Sequence, residues 1–274
     1  GWQTRRKVKV GCFVFDAEGQ QLGNVHGFLG SEFWYVRTIM TTIAVKLQQV
    51  HLRIDAACAA AGRSTETVRL LAVSKTFPPE AVREAYAAGQ IAFGENYIQE
   101  AVEKIALLQD LPLEWHCIGP IQSNKTRLVA AHFHWAHTVD RLKTAQRLND
   151  QRPDGMPPLQ ICLQVNADGG RTKSGIPPEE VLVLAQAVSA LPRLQLRGLM
   201  SIPEPAEGFE AQVASHFRVR ELFDQLRAQG SPLDTLSLGM SADMEAAIHA
   251  GSTMIRVGSA IFGGRLTSLA HPMV

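Results

Sequence analysis

Between residues 69 and 257 the chain carries eight short apolar runs, each separated from the next by a stretch with helical spacing. The runs are 69–74 (RLLAVS), 91–93 (IAF), 114–118 (EWHCI), 134–139 (HWAHTV), 159–165 (LQICLQV), 194–200 (LQLRGLM), 233–238 (LDTLSL) and 253–257 (TMIRV). Helical patterns occupy 78–88, 96–109, 123–131, 141–150, 177–190, 208–229 and 242–250. A further one, 42–62, precedes the first run, with Ile43, Leu47, Val50, Ile54 and Cys58 at three- and four-residue steps and Gly62 placed to stop it. Strands alternating with helices pair in parallel through right-handed crossovers. Eight such units predict a closed α/β barrel, the (β/α)8 TIM architecture. An open doubly wound sheet is disfavoured, because no GxGxxG turn follows a strand. The length of 274 residues fits a fold that takes about 250.

Residues 1–39 read differently, with Gly at 1, 11, 19, 23, 27 and 30 and no sustained helical period. The segment VGCFVFDAEGQQLG predicts a small hairpin turning near Glu18-Gly19. The expected organisation is an N-terminal extension over 1–39 that stands outside the functional unit, a barrel over 40–265 and a tail over 266–274. Lys and Arg number 27 against 26 Asp and Glu, a net charge of +1, so nucleic acid and anionic membrane surfaces are not expected partners. Aromatics at 7% also argue against a stacking platform for single strands. No stretch approaches the roughly 18 apolar residues of a membrane span. Cys12, Cys58, Cys117 and Cys162 form no CxxC and read as free thiols of a reducing compartment. The basic residues Arg5, Arg6, Lys7 and Lys9 precede an apolar run that breaks at Asp16 and Glu18, so a secretory signal is not expected and the cytoplasm is the default.

In such a barrel the chemistry belongs at the C-terminal strand ends, and phosphate groups gather after strands seven and eight. The first strand ends AVSKT, which puts Lys75 at the mouth as a Schiff-base candidate, reached from a rigid strand, or as a plain rim charge. No paired carboxylate stands near it in the sequence. After strand seven, Gly239 permits close backbone approach and Ser241 offers a hydroxyl at an expected helix start. After strand eight, Gly258 and Ser259 can present backbone N–H groups to the same anion. Arg256 lies inside the apolar run TMIRVG, where an uncompensated charge is costly. It calls for a partner, either a ring nitrogen or a buried carboxylate. His132, His134 and His137 read H-x-H-x-x-H but lack flanking Cys or carboxylate ligands, and no metal is expected. His116 and His137 lie in strands and read as mouth or core histidines. The loops 119–127 and 169–175 are polar rim segments, and GGRTKSG lacks P-loop spacing.

The segments LLAVSKT (70–76), FGENYIQEA (93–101), EWHCIGPIQSNK (114–125), TKSG (172–175), RGLMSIP (197–203), LGMSADMEAAI (238–248) and STMIRVGSAIFG (252–263) cover nearly the whole barrel. On these motifs the chain from about 40 to 265 resembles the YggS/PROSC family of pyridoxal 5′-phosphate (PLP) homeostasis proteins. The resemblance implies a single barrel of the alanine-racemase N-terminal type (PLP fold type III) that holds PLP as an imine on Lys75. It also implies phosphate contacts from Ser241, Gly258 and Ser259, Arg256 facing the pyridine nitrogen, and Asn96 and Met200 lining the pocket. The departures are the loop NADGGRTKSG, where the family more often has an acidic residue before SKSG, and Thr138 and Ser201 in place of common small residues.

Arg stays protonated and can only donate to the ring nitrogen, which weakens the ring as an electron sink. Racemases of this type add a Tyr from a separate C-terminal domain. The sequence in hand reaches Val274 soon after the last motif, and Tyr35, Tyr86 and Tyr97 match no such position. The expectation is therefore a PLP carrier that loads and releases cofactor with little or no catalysis, monomeric, with PLP and PLP-dependent client enzymes as partners. The alternatives are a weakly active amino-acid racemase and, from the phosphate site alone, a barrel aldolase or isomerase acting on sugar phosphates.

Overall fold

In the computed structural model the described residues are 12–15, 21–25, 42–169 and 174–263. Residues 1–39 and 40–274 form two compact units. In the first, β1 (Cys12–Phe15) and β2 (Gln21–Val25) pair antiparallel, with Cys12 opposite Val25. This is the expected hairpin; its turn lies outside the described residues, as do Lys173 and the 266–274 tail.

In the second unit eight parallel strands close into a barrel in the order β10-β3-β4-β5-β6-β7-β8-β9. They are β3 (Arg69–Val73), β4 (Ala92–Glu95), β5 (Glu114–Cys117), β6 (Trp135–Val139), β7 (Leu159–Gln164), β8 (Leu194–Met200), β9 (Thr235–Ser237) and β10 (Met254–Val257). The helices are α1 (Thr42–Ala60), α2 (Pro79–Ala87), α3 (Ile98–Leu107), α4 (Thr126–His132), α5 (Leu142–Gln151), α6 (Val181–Ser189), α7 (Phe209–Ala228), α8 (Met244–His249) and α9 (Ser259–Phe262). Among the described residues no helix is long and apolar enough to cross a membrane.

Helix starts differ from the sequence pattern where side chains stabilise a turn first. The 123–131 helix begins at Thr126, because Lys125 N bonds Gln122 O and Thr126 Oγ1 bonds Ser123 O. The 242–250 helix begins at Met244, because Asp243 Oδ1 accepts from Met240 N at 2.7 Å and holds 240–243 as a turn. The 177–190 segment opens with a 3₁₀ turn over Pro178–Glu180 before α6.

Successive strand side chains alternate between the helix layer and the barrel interior. On β3, Leu70 and Ala72 join the large cluster that packs the helices. Leu71 and Val73 join Ala92, Ile118 and Met254 inside. Trp135, Cys162 and Met200 form a second interior cluster. Ser74, just past the strand end, faces the helix layer, where it meets Glu95 and Lys104, and Lys75 follows it at the mouth.

Candidate functional site

Lys75 is half-buried just past the end of β3, and its ammonium has no hydrogen-bond or ion-pair partner among the described residues. The next residue, Thr76, has φ 65°, an uncommon conformation for a β-branched side chain. On the neighbouring strand β10, Val257 registers with Ala72, and Gly258 lies against Val73. The structure therefore brings Lys75 and the Arg256–Ser259 segment to one stretch of rim.

Arg256 is 4% exposed. Its Nη1 donates to Ser237 O at 2.6 Å and to Ser237 Oγ at 2.7 Å, and its Nη2 donates to Ser201 O at 3.0 Å. The buried carboxylate offered as its partner is thus not what binds it: its acceptors are two carbonyls and a hydroxyl at the ends of β8 and β9. Burial pushes its guanidinium down to about 10, with the charge of Asp243 opposing, so it stays protonated at neutral pH. Three of its five N–H groups are used, and two have no acceptor among the described residues. Ser201, a departure from the family pattern, contributes its carbonyl here and anchors its own hydroxyl on Val165 O at 2.8 Å.

Below Arg256 the interior carries a line of polar groups. His137 Nδ1 lies 3.1 Å from Ser237 Oγ, His116 Nδ1 2.9 Å from His137 Nε2, and His116 Nε2 2.6 Å from Glu114 Oε1. Arg69 closes the far end on Glu114 at 2.7 Å. Burial pushes both histidines below their ordinary range, although Glu114 opposes it at His116. Burial raises Glu114, but the His116 N–H and the Arg69 charge outweigh it and hold the carboxyl at about 2. Sequence reading named both histidines but not their partners Ser237 and Glu114. The available signal was polar residues at inward positions of three strands.

The H-x-H-x-x-H group does not assemble. His132 and His134 are exposed, His134 Nδ1 accepts from Trp115 N, and His137 is inside the barrel. No metal-binding group of His, Cys, Asp or Glu occurs among the described residues.

Asn96 sits past the end of β4 against Gly119, where any Cβ would overlap the Asn96 carbonyl oxygen. Its Oδ1 is buried and unpartnered among the described residues. Thr138, the other departure, donates to Gly119 O at 2.7 Å and so braces the same contact. Met200 is fully buried beside Trp135 and Cys162, inside the barrel. Gly239 has φ 89°, and a Cβ there would overlap that of Ala247. Ser241 lies in the turn before α8 rather than at the helix start, and its carbonyl accepts from Arg53 at 3.2 Å. Asp243 also accepts from His216 Nε2 at 2.9 Å, so two elements hold this turn. Gly258 and the exposed Ser259 open α9, whose first N–H groups have no intrahelical acceptor.

These features fit a phosphorylated aldehyde with a ring nitrogen: a free amine, unspent cationic donors, an orphaned amide and two glycine-bearing turns on one rim.

The profile of the alanine racemase N-terminal domain matches residues 45–266. The pyridoxal phosphate homeostasis protein of Pseudomonas aeruginosa is 59% identical over 226 residues, spanning 82% of this chain and 97% of that protein. Its namesake from Escherichia coli K12 is 55% identical over 229 residues, 82% of this chain and 98% of the relative. The solved structure of PipY from Synechococcus elongatus with PLP bound superposes with a TM-score of 0.70 at 40% identity, covering 81% of this chain and all of PipY. An alanine racemase from Clostridium difficile superposes at 0.65 with 15% identity, covering 83% of this chain and 58% of the racemase, which speaks to the fold alone.

Proposed function

The chain belongs to the alanine racemase N-terminal domain family and, within it, to the pyridoxal phosphate homeostasis proteins, and from that premise we propose that it binds PLP at the barrel mouth and serves PLP homeostasis as a carrier rather than as an enzyme. The observation that carries this reading is the pairing, on adjacent strands, of a Lys75 amine and a buried Arg256 with two N–H groups, none of which has a partner among the described residues.

Bound PLP supplies an aldehyde that condenses with amines and a pyridine ring that withdraws electrons. Lys75 would supply the amine for that condensation, with water as the leaving group. Arg256 donates to the ring nitrogen and, being charged, keeps a proton off it. Ser241 and the Gly258–Ser259 amides hold the phosphate, while Asn96 and Met200 shape the ring's surroundings. Of the tyrosines, Tyr86 packs on the outer, helix-facing cluster and Tyr97 is exposed just before α3. Neither of these two described tyrosines packs in the barrel interior, where a second acid/base would be needed. The described cysteines Cys58, Cys117 and Cys162 are buried free thiols, which supports a reducing, cytoplasmic setting.

Borohydride reduction of the PLP-loaded protein followed by peptide mapping tests the assignment. Pyridoxyl is expected on Lys75, and a principal label on Lys125 or Lys173 would overturn it. Incubation with L-amino acids and chiral analysis tests the carrier role. Turnover of about 1 s⁻¹ or more, in the ordinary enzyme range, would replace it with the racemase.

A further inference from the structure

A buried polar cluster on the outer side of the barrel grips the backbone on both sides of Lys75. Ser74 is fully buried. Its Oγ donates to Glu95 Oε1 at 2.7 Å, and its carbonyl accepts from Lys104 Nζ at 2.9 Å. Lys104 also donates to Glu95 Oε1 at 2.7 Å and to Glu100 Oε1 at 3.2 Å, which uses its three N–H groups. Glu100 Oε1 accepts from Thr76 N at 2.8 Å. The carboxylates that sequence reading did not find near Lys75 are therefore close in space, on the helix side, engaged with Lys104.

The side chains of Lys104 and Glu95 are 3% and 0% exposed. Burying such a pair costs desolvation that its attraction repays only with good geometry, and an apolar pair would pack as well. What an apolar pair could not do is bind the Ser74 carbonyl and, through Glu100, the Thr76 amide. These are the backbone groups directly flanking Lys75. Thr76 is also the residue held at φ 65°, a strained state that persists only where its surroundings enforce it.

We propose that Glu95, Glu100 and Lys104 are positioning residues for Lys75, fixing the backbone on either side of it so that its amine leaves the strand end in one direction. The inference rests on the reading of Lys75 as the PLP lysine. Lys104→Met alone strands a buried carboxylate and is expected to unfold the barrel, so milder variants carry the test. Glu100→Ala releases the Thr76 amide and one of the three Lys104 N–H groups, whereas Glu100→Gln keeps an acceptor for both. Thr76→Gly relaxes the strained backbone. Glu95→Gln/Lys104→Met removes both charges together.

The readouts are the growth rate of the visible C=N band after adding PLP to apoprotein, the borohydride label on Lys75 and the unfolding midpoint. Glu100→Ala, Thr76→Gly and the double variant should slow band growth on the order of 10-fold, the scale of a small misplacement of a reacting group. Glu100→Gln should restore it to near the wild-type rate. Glu100→Ala and Thr76→Gly should both stay folded, with a cooperative unfolding transition, so that slow band growth in them is not loss of the fold. Wild-type rates in Glu100→Ala and Thr76→Gly would overturn the positioning role while leaving the PLP lysine in place. A wild-type protein labelled elsewhere than Lys75 would overturn both.

Discussion

His116 Nδ1 and His137 Nε2 stand 2.9 Å apart inside the barrel, so one of the two nitrogens holds the proton they share. The ends of the line decide which. Arg256 only donates, so Ser237 Oγ accepts from it and is free to donate to His137 Nδ1. His137 then carries its proton on Nε2 and gives it to His116 Nδ1. His116 carries its proton on Nε2 and gives it to the Glu114 carboxylate, which only accepts. Every link is satisfied with both rings neutral, in one direction from cation to anion.

The apoprotein at pH 7 should accordingly show both histidines as neutral Nε2–H tautomers in ¹⁵N NMR. An imidazolium or an Nδ1–H form at either ring would break the derived line. Glu114→Gln, which can donate as well as accept, should allow the reversed arrangement to appear.

The same histidines set an acid limit on stability. Burial brings His116 down from its ordinary 6.5 to about 4 and lowers His137 as well. The unfolded chain then binds more protons than the folded one below about pH 6.5, so stability falls as pH drops through that point toward 4. It is complete above about pH 6.5. At pH 5 the loss through His116 should be about 2 kcal/mol, from about 1.4 kcal/mol per unit, and His137 adds to it in the same direction. Urea unfolding from pH 7 to pH 5 checks this, and His137→Gln should show a smaller decline than wild type. An undiminished decline in that variant would exclude His137 as a source.

Arg256 holds two strand-end carbonyls and is the residue we propose to meet the ring nitrogen, so its removal should cost stability and PLP binding together. Arg256→Ala leaves Ser201 O without its charged donor and Ser237 O with only Ser201 N, at about 1–3 kcal/mol of unfolding free energy per carbonyl affected. Arg256→Glu should be worse, since it turns a carboxylate toward those carbonyls. Arg256→Lys should retain part of the loss. Urea unfolding in which Arg256→Ala stays within about 1 kcal/mol of wild type would show that the carbonyls find other donors.

Ser241→Ala should weaken PLP binding by about 1–3 kcal/mol, the range for a hydrogen bond to a charged group. Pyridoxal, which lacks the phosphate, should bind far less well than PLP. Equal affinities for PLP and pyridoxal in a fluorescence titration would move the phosphate site away from the 239–243 and 258–259 turns.

The eightfold strand–helix alternation, the strand positions and the place of Lys75 just past the first barrel strand were all legible in the sequence. Each depends on neighbours a few residues apart: the two-residue period of a strand, the three- and four-residue steps of a helix and the turns between them. The resemblance of the motifs added the cofactor. What surrounds the reactive groups was not legible. Arg256 finds its acceptors 19 and 55 residues away, and which carbonyl it reaches depends on how β8, β9 and β10 are staggered when the barrel closes. His134 and His137, three residues apart, were separated between solvent and interior by the same closure. Glu95 looked like one more residue of a mouth motif, yet strand alternation turned it outward to Lys104, where it helps hold the backbone beside Lys75. Local spacing specifies the faces of each element, but only closure of the barrel brings distant donors and acceptors within the roughly 3 Å at which they act.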